Sequence, residues 1–322
     1  MFVVGGESLI DLVSEPRNGD SEIHLVAHAG GSPFNCAIAL ARLENNTGFL
    51  CPISRDGFGA YLLEPLSDAG VKPLLPERVS EPSSLAVVTL NARGEAAYEF
   101  YRGAERALDE SKLLAALPDK IDLYQIGGFC PIEETDTKIW LSVVKAAAGS
   151  GALISMDPNI RPSLIKDFEA YRQRLSLFLD LAHIIKLSVE DLEALDATMD
   201  INAHVMALLA RPNCNLVVVT DGENGSQAFT KNTRAQAGIY EPPVFGDTVG
   251  AGDSLMAGVL SFLEQEDKLN PPELLKLNEQ VLACMLHYGA VVAGLNCAQK
   301  GCKPPTRAEV DAVLAQLGQM NN

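Results

Sequence analysis

The string Asp247-Thr248-Val249-Gly250-Ala251-Gly252-Asp253-Ser254 joins two glycines and a carboxylate to the start of an apolar segment. Residues 251–263 read as a helix, with Leu255, Met256, Val259, Leu260 and Leu263 on one face at helical spacing. Gly250 and Gly252 stand where the chain enters that helix, and glycine permits the backbone angles and close approach that an anion-cradling turn needs. The first turn of a helix carries unpaired N–H groups and a partial positive charge, so it can hold a phosphate. Asp253 lies within that turn. A carboxylate so placed suits phosphoryl transfer to a hydroxyl: it orients the attacking oxygen and takes its proton, while the amides stabilise the transferring group. A helix start is also expected to lower the carboxylate's pKa and weaken it as a base. That is tolerable where the hydroxyl loses its proton late. Taken alone, the string reads as well as a plain glycine turn with a helix-start carboxylate.

Other stretches carry polar groups at chemically useful places. Gly30-Gly31-Ser32-Pro33-Phe34-Asn35 precedes an alanine-rich helix over 36–43, with Ser32 as its expected cap and Pro33 at its first position. Asn35 then offers its amide from the first turn, or else bonds its own backbone. Asp11 sits between Ile10 and Leu12, where a charge must be solvated, paired or functional. Asp157-Pro158-Asn159-Ile160-Arg161-Pro162 ends a predicted strand with three polar side chains, and a proline-bounded loop bonding local backbone explains it equally. Ser188-Val189-Glu190-Asp191 fits a helix start with Ser188 as N-cap. Thr220-Asp221-Gly222-Glu223-Asn224-Gly225 turns directly after an apolar strand. Arg102 ends a predicted hairpin.

These residues must be positioned by the elements around them. Residues 2–5 read as a buried opening strand, followed by extended chain over 7–13 and a second strand over 22–27 across the turn-prone stretch 15–20. A helix is expected over 56–69. Residues 84–90 and 96–101 form β-rich runs around a loop of five residues, a predicted hairpin. From about residue 111, strands near 122–126, 152–156 and 183–187 alternate with helices over 133–148, 164–179 and 189–196. Residues 215–220 are nearly continuously apolar, as in a strand buried on both faces. Such alternation indicates an α/β fold with a mostly parallel sheet between helices. Its ligands lie beyond the C-terminal strand ends, where Asp157, Thr220 and Asp221 fall. A late helix spans about 272–294 and carries His287.

Composition excludes several classes. A formal net charge of −17 over 322 residues argues against nucleic-acid binding and against anionic membrane surfaces, which need a basic footprint. No run approaches the ~18 apolar residues of a membrane span, and no signal peptide is visible. Seven dispersed cysteines without a C-x-x-C pattern point to free thiols in a reducing compartment, so a cytoplasmic protein is expected.

The string from Asp247 to Ser254 closely resembles the C-terminal signature of the PfkB (ribokinase-like) carbohydrate kinases. Gly30-Gly31-Ser32-Pro33-Phe34-Asn35-Cys36-Ala37 resembles their N-terminal signature, and the likeness runs from Gly5 to about Gly301. The resemblance implies one ribokinase-like domain over 1–322, with a small β-sheet lid from about 10–28 and 82–104. It implies ATP and Mg²⁺, with K⁺ in some relatives, and a homodimer formed through the lid. By the same resemblance, Asp253 is the catalytic base, and the amides of Gly250, Ala251 and Gly252 form the anion hole. Asp11, Gly30, Gly31 and Asn35 hold the sugar, with Arg102 and Arg161 facing a ketose hydroxyl, a sugar-acid carboxylate or the transferring group. Asn159, Lys186, Thr220, Gly222, Gly225 and His287 fall on the nucleotide side, although for His287 a role confined to its helix is the plainer reading. Ser188 and Asp191 replace the ends of the family's Asn-x-x-Glu, leaving Asp191, or Glu190 through water, as the expected Mg²⁺ ligand. Asp247 matches a residue that binds a monovalent cation. The run from Phe100 to Ala104 looks most like fructokinases. A 2-keto-3-deoxygluconate kinase is the alternative, followed by a ribokinase, a nucleoside kinase, or a sugar-binding regulator without catalysis.

Overall fold

A computed structural model of the chain describes residues 1–14, 23–90 and 96–320. Strand β1 (Phe2–Gly5) leads into β2 (Leu9–Ser14), β3 (Leu25–Gly30) and helix α1 (Ser32–Arg42). Next come β4 (Thr47–Leu50), α2 (Gly57–Asp68), the short β5 (Lys72–Pro73), then β6 (Leu85–Leu90) and β7 (Ala96–Tyr101). After α3 (Glu110–Ala115) the chain alternates: β8 (Leu123–Gly127), α4 (Glu134–Gly149), β9 (Leu153–Asp157), α5 (Phe168–Leu179), β10 (Ile184–Ser188). Helices α6 (Val189–Asp196) and α7 (Ile201–Leu209) precede β11 (Leu216–Thr220) and the hairpin β12 (Ser226–Phe229) and β13 (Arg234–Ala237). Four helices close the fold: α8 (Ala251–Gln265), α9 (Pro271–Leu274), α10 (Glu279–Asn296) and α11 (Arg307–Met320).

Among the described residues, nine strands form one sheet in the order β13-β12-β11-β10-β9-β8-β1-β4-β5, parallel except at β12 and β13. Both faces are buried, and the strand sequences say why. Phe2 and Val4 of β1 enter one core while Val3 enters the other, and Leu216 and Val218 oppose Val217 and Val219 in β11. One core gathers α1, α8 and α10, and the other gathers α4, α5 and α7. The α/β reading therefore holds, with a mostly parallel sheet between two helical layers. The strand order reverses at β1, whose neighbours are β4 and β8, so a crevice opens at the C-terminal ends of β1 and β8. A second, four-stranded sheet, β3-β2-β6-β7, pairs β2 with β3 and β6 with β7 antiparallel.

The boundaries differ from expectation in instructive places. β3 starts at Leu25 rather than 22, and the predicted turn at 15–20 and the loop at 91–95 lie outside the described residues. The helix expected from 164 begins at Phe168, because the Asp167 side chain accepts from Ala170 N at 3.0 Å and caps it there. The helix expected over 272–294 is two helices, with Asn278 capping α10 by accepting from Val281 N. Ser188 does cap α6, in a reciprocal capping box with Asp191. No helix among the described residues is long and apolar enough to cross a membrane.

Helix α8, which carries Asp253, crosses α10 at two glycines. A Cβ on Gly258 would lie 2.8 Å from the Cα of Gly289 and 3.1 Å from Val292 Cγ2, so the backbones touch there. Gly258→Val is expected to push α8 off α10 and destabilise the fold by about 1–3 kcal/mol, as overpacking does. Urea unfolding of the variant against the parent measures it.

Candidate functional site

The turn before α8 is tied from two sides. Asp247 accepts from Val249 N at 2.9 Å and from Gly301 N at 2.8 Å, and buried Asn296 donates to Val249 O at 2.7 Å. Gly250 is the left-handed N-cap of α8 (φ 74°), and a Cβ there would strike the Cys302 sulfur at 2.3 Å. A side chain at this position would be strained in backbone and would have to displace Cys302. The Ala251 N–H closes the turn onto Thr248 O at 3.1 Å, so it is spent locally. This corrects the expected trio of free amides. Gly252 and Asp253 remain as first-turn residues whose N–H groups have no carbonyl four residues earlier in the helix. A Cβ on Gly252 would come within 3.0 Å of Lys186 Nζ, which places a buried ammonium against this helix start.

Asp253 is buried, and each of its oxygens is held from α1. Ser32 Oγ donates to Oδ1 at 2.6 Å and Asn35 Nδ2 donates to Oδ2 at 2.9 Å. Burial raises its pKa above the ordinary value, against the lowering by Ser32, Asn35, Lys186 and Arg161. The net direction is the opposite of the depression expected from the helix start, with loss of hydration as its first cause. Asn35 grips the carboxylate itself. Ser32 is not the cap expected of it: Gly31 is the N-cap of α1, and Ser32 is the first helical residue. Its hydroxyl, freed from capping, goes to Asp253.

Beside Asp253 lies a buried ion pair, with Lys186 Nζ 2.9 Å from Asp157 Oδ2. Burial pushes Asp157 up to about 6 despite this partner, and its other oxygen, Oδ1, is buried with no hydrogen-bond partner. Burial works against the Lys186 charge, but Asp157, Asp191 and Asp253 together outweigh it and raise the lysine's pKa. Arg161, exposed after β9, exerts its field on Glu7, Asp11 and Asp253 alike.

The crevice at β1 and β8 supplies the next group. Asp11 on β2 packs against Gly30, where a Cβ would meet its Oδ2 at 2.2 Å; a Cβ on Gly31 (φ 109°) would lie 2.8 Å from Glu7 O. Burial raises Asp11 to about 6. Glu7, which sequence reasoning did not single out, is buried at the end of β1. It accepts from Ser32 N at 3.3 Å and Phe129 N at 3.0 Å, and burial pushes it up to about 7. Glu7 follows an apolar strand directly, the one signal in the sequence that its carboxylate is enclosed.

Several expected site residues stand elsewhere. Arg102 does not face Asp11 or Asp253 as a free cation. Its guanidinium pairs with Glu105 at 2.7 Å and Asp136 at 3.0 Å and lies 5.3 Å over the Phe129 ring, fastening the end of β7 to α4. Asp191 accepts from Ile160 N at 2.7 Å and Ser188 N at 2.8 Å, so both of its oxygens serve the backbone; Glu190 is exposed. One lone pair on each Asp191 oxygen is thereby used in capping α6 and holding the loop after β9. Asn159 sits at positive φ (43°) in the loop after β9, Thr220 ends β11, and Gly222 and Gly225 follow it at the same edge of the sheet. His287 is exposed on α10.

An enclosed carboxylate, an ammonium and open helix amides thus meet at the C-terminal edge of an α/β sheet. That arrangement can deprotonate a hydroxyl while stabilising an incoming phosphoryl group. The chain belongs to the pfkB family of carbohydrate kinases, whose family model matches residues 1–309. It is 33% identical to a fructokinase of Rhizobium leguminosarum bv. trifolii over 284 residues, 88% of this chain and 85% of that protein. It is 30% identical to Fructokinase-1 of Oryza sativa subsp. japonica over 317 residues, 96% of each. Its fold superimposes on fructokinase with bound ATP from Xylella fastidiosa with a TM-score of 0.89 at 26% identity, covering 98% of both chains.

The raised pKa of Asp11 makes a stability prediction. The folded protein retains a proton up to about 6 that the unfolded chain releases near 3.8, so stability present below pH 3.8 is lost as pH rises through 6. Asp11→Asn, in the absence of sugar, is therefore expected to stabilise the fold by about 1–2 kcal/mol at pH 8 and hardly at all at pH 3.5, discounted for the carboxylate's partial exposure. Denaturant titrations at the two pH values check it.

Proposed function

We propose that this carbohydrate kinase transfers the γ-phosphoryl group of ATP to a hydroxyl of fructose. The observation that carries the reading is Asp253, enclosed at the start of α8 with both oxygens oriented from α1 and Lys186 beside the same turn. Fructose as the acceptor is supported by relatives named fructokinase at 30–33% identity over most of the chain.

In this reading Asp253 accepts the proton of the attacking hydroxyl. Its burial-raised pKa makes it a better proton acceptor than an exposed aspartate. Lys186 and the N–H groups of Gly250, Gly252 and Asp253 stabilise charge on the phosphoryl group. Asp11 takes up sugar hydroxyls between the glycines that make room for it, and Arg161 stands over the same space. Thr220, Gly222, Gly225 and Asn159 line the nucleotide side. Magnesium, when bound, would neutralise phosphate charge. The unpartnered Asp157 Oδ1 and the exposed Glu190 are the hard oxygen groups that fit it, with water completing its shell.

The four-stranded sheet is read as the lid of the sugar pocket. Leu25, Val26 and Tyr101 are exposed on it, which supports a second copy docking there, and the free cysteines support a reducing, cytoplasmic setting. Of the two arginines that could meet a sugar-acid carboxylate, Arg102 is already matched by Glu105 and Asp136, whereas Arg161 is exposed.

Asp253→Asn is expected to lower kcat by ~10²–10⁴ while leaving fructose affinity almost unchanged. The assay is fructose-dependent ADP release with Mg-ATP, run beside ribose and 2-keto-3-deoxygluconate. Absence of turnover on fructose with turnover on another sugar would reassign the substrate, and an unchanged kcat in the variant would remove Asp253 from the mechanism.

A further inference from the structure

The Ser32 hydroxyl makes the shortest hydrogen bond to the enclosed carboxylate, and its geometry is imposed from three directions. Its backbone N–H is held by Glu7 at the end of β1, Gly31 before it adopts a backbone that only glycine holds easily, and Pro33 after it fixes the first turn of α1. Ser32 and Asn35 are three residues apart and so share one helix face, each committed to a different oxygen of Asp253. A residue needed only for helix formation would spend its hydroxyl on the backbone, as a cap does. Ser32 instead sends it 2.6 Å across to a residue 221 positions away.

We propose that Ser32 is a positioning residue for phosphoryl transfer, its hydroxyl holding Asp253 ionised and correctly turned until the sugar hydroxyl arrives. This rests on the reading of Asp253 as proton acceptor. The donor–carboxylate bond favours the charged form, and at a buried site that form has lost most of its hydration. Without the hydroxyl, burial is opposed by one donor fewer, a larger fraction of Asp253 is protonated at any given pH, and a protonated carboxyl cannot take another proton. Once Asp253 has accepted the sugar's proton, the bond from Ser32 weakens, so the hydroxyl supports the reactant state of the base without locking it. Asn35 cannot replace it, being tied to the other oxygen.

The groups facing Asp253 are Lys186 from β10, Arg161 and Asp157 from β9 and its loop, Asp11 from β2, Cys36 from α1 and Cys302 beyond α10. All remain in place when only the hydroxyl is removed. Ser32 is also the largest influence opposing burial at this carboxylate.

The test is the pH profile of kcat/KM with Mg-ATP and fructose for the parent, Ser32→Ala, Ser32→Thr and Asp253→Asn. Ser32→Ala is expected to move the acid limb up by about one to two pH units, the scale of a charge-assisted hydrogen bond. Activity would fall about tenfold on the acid limb and recover towards the parent at alkaline pH, because on that limb the ionised fraction of the base changes about tenfold for each pH unit. Ser32→Thr, which keeps the hydroxyl, should restore the limb. A uniform loss at every pH without rescue by threonine would assign Ser32 a packing role only and overturn the proposal. A parental profile in Ser32→Ala beside an inactive Asp253→Asn would likewise overturn it while leaving Asp253 as the base. Full activity in Asp253→Asn would overturn the reading of Asp253 itself.

Discussion

Burying a carboxylate at the entrance of a helix sets two electrostatic influences against each other. The helix start favours the charge and the loss of water opposes it, and at Asp253 burial is the first cause of a raised pKa. The architecture around the site answers that penalty. Helix α1 is turned so that its first two polar side chains reach the carboxylate, which requires Gly31 to leave β3 at a positive φ and Glu7 to hold the Ser32 N–H. Helix α8 is pressed onto α10 through bare backbone at Gly258 and Gly289, fixing where its first turn lies. Lys186 rises from the middle of the sheet to the same turn.

The concentration of acid at this edge follows from the same constraint. Glu7, Asp11, Asp157 and Asp253 all have burial as the first cause of a raised pKa, and Lys186 and Arg161 only partly offset it. A chain of net charge −17 can still receive a polyphosphate because positive potential is local here: helix amides, one enclosed ammonium and an exposed guanidinium. Carboxylates with pKa values near 6 and 7 also carry less negative charge towards an incoming phosphate than exposed ones would.

The alternation of strands and helices was legible because both faces of the parallel sheet are buried, which leaves near-continuous apolar runs such as 216–219. Gly250 and Asp253 were legible because a left-handed turn and a helix start impose residue types locally. What sequence could not reveal is long-range. Ser32 reads as a cap by every local rule, and only a carboxylate 221 residues away redirects its hydroxyl. Arg102 reads as a free cation because Asp136, 34 residues on, is brought to it by the packing of α4. Asp191 reads locally as a helix-start carboxylate, and its second partner, the backbone N–H of Ile160, comes from another loop. Local chemistry was visible, and the partners that tertiary packing supplies were not.

The most direct test of the account is a crystal structure of the protein with fructose, Mg²⁺ and a non-hydrolysable ATP analogue. It should place one sugar hydroxyl within hydrogen-bond reach of Asp253, with Ser32 still on Oδ1 and the terminal phosphate between Lys186 and the first turn of α8. A sugar bound away from Asp253, or a terminal phosphate held elsewhere than at that turn, would contradict it.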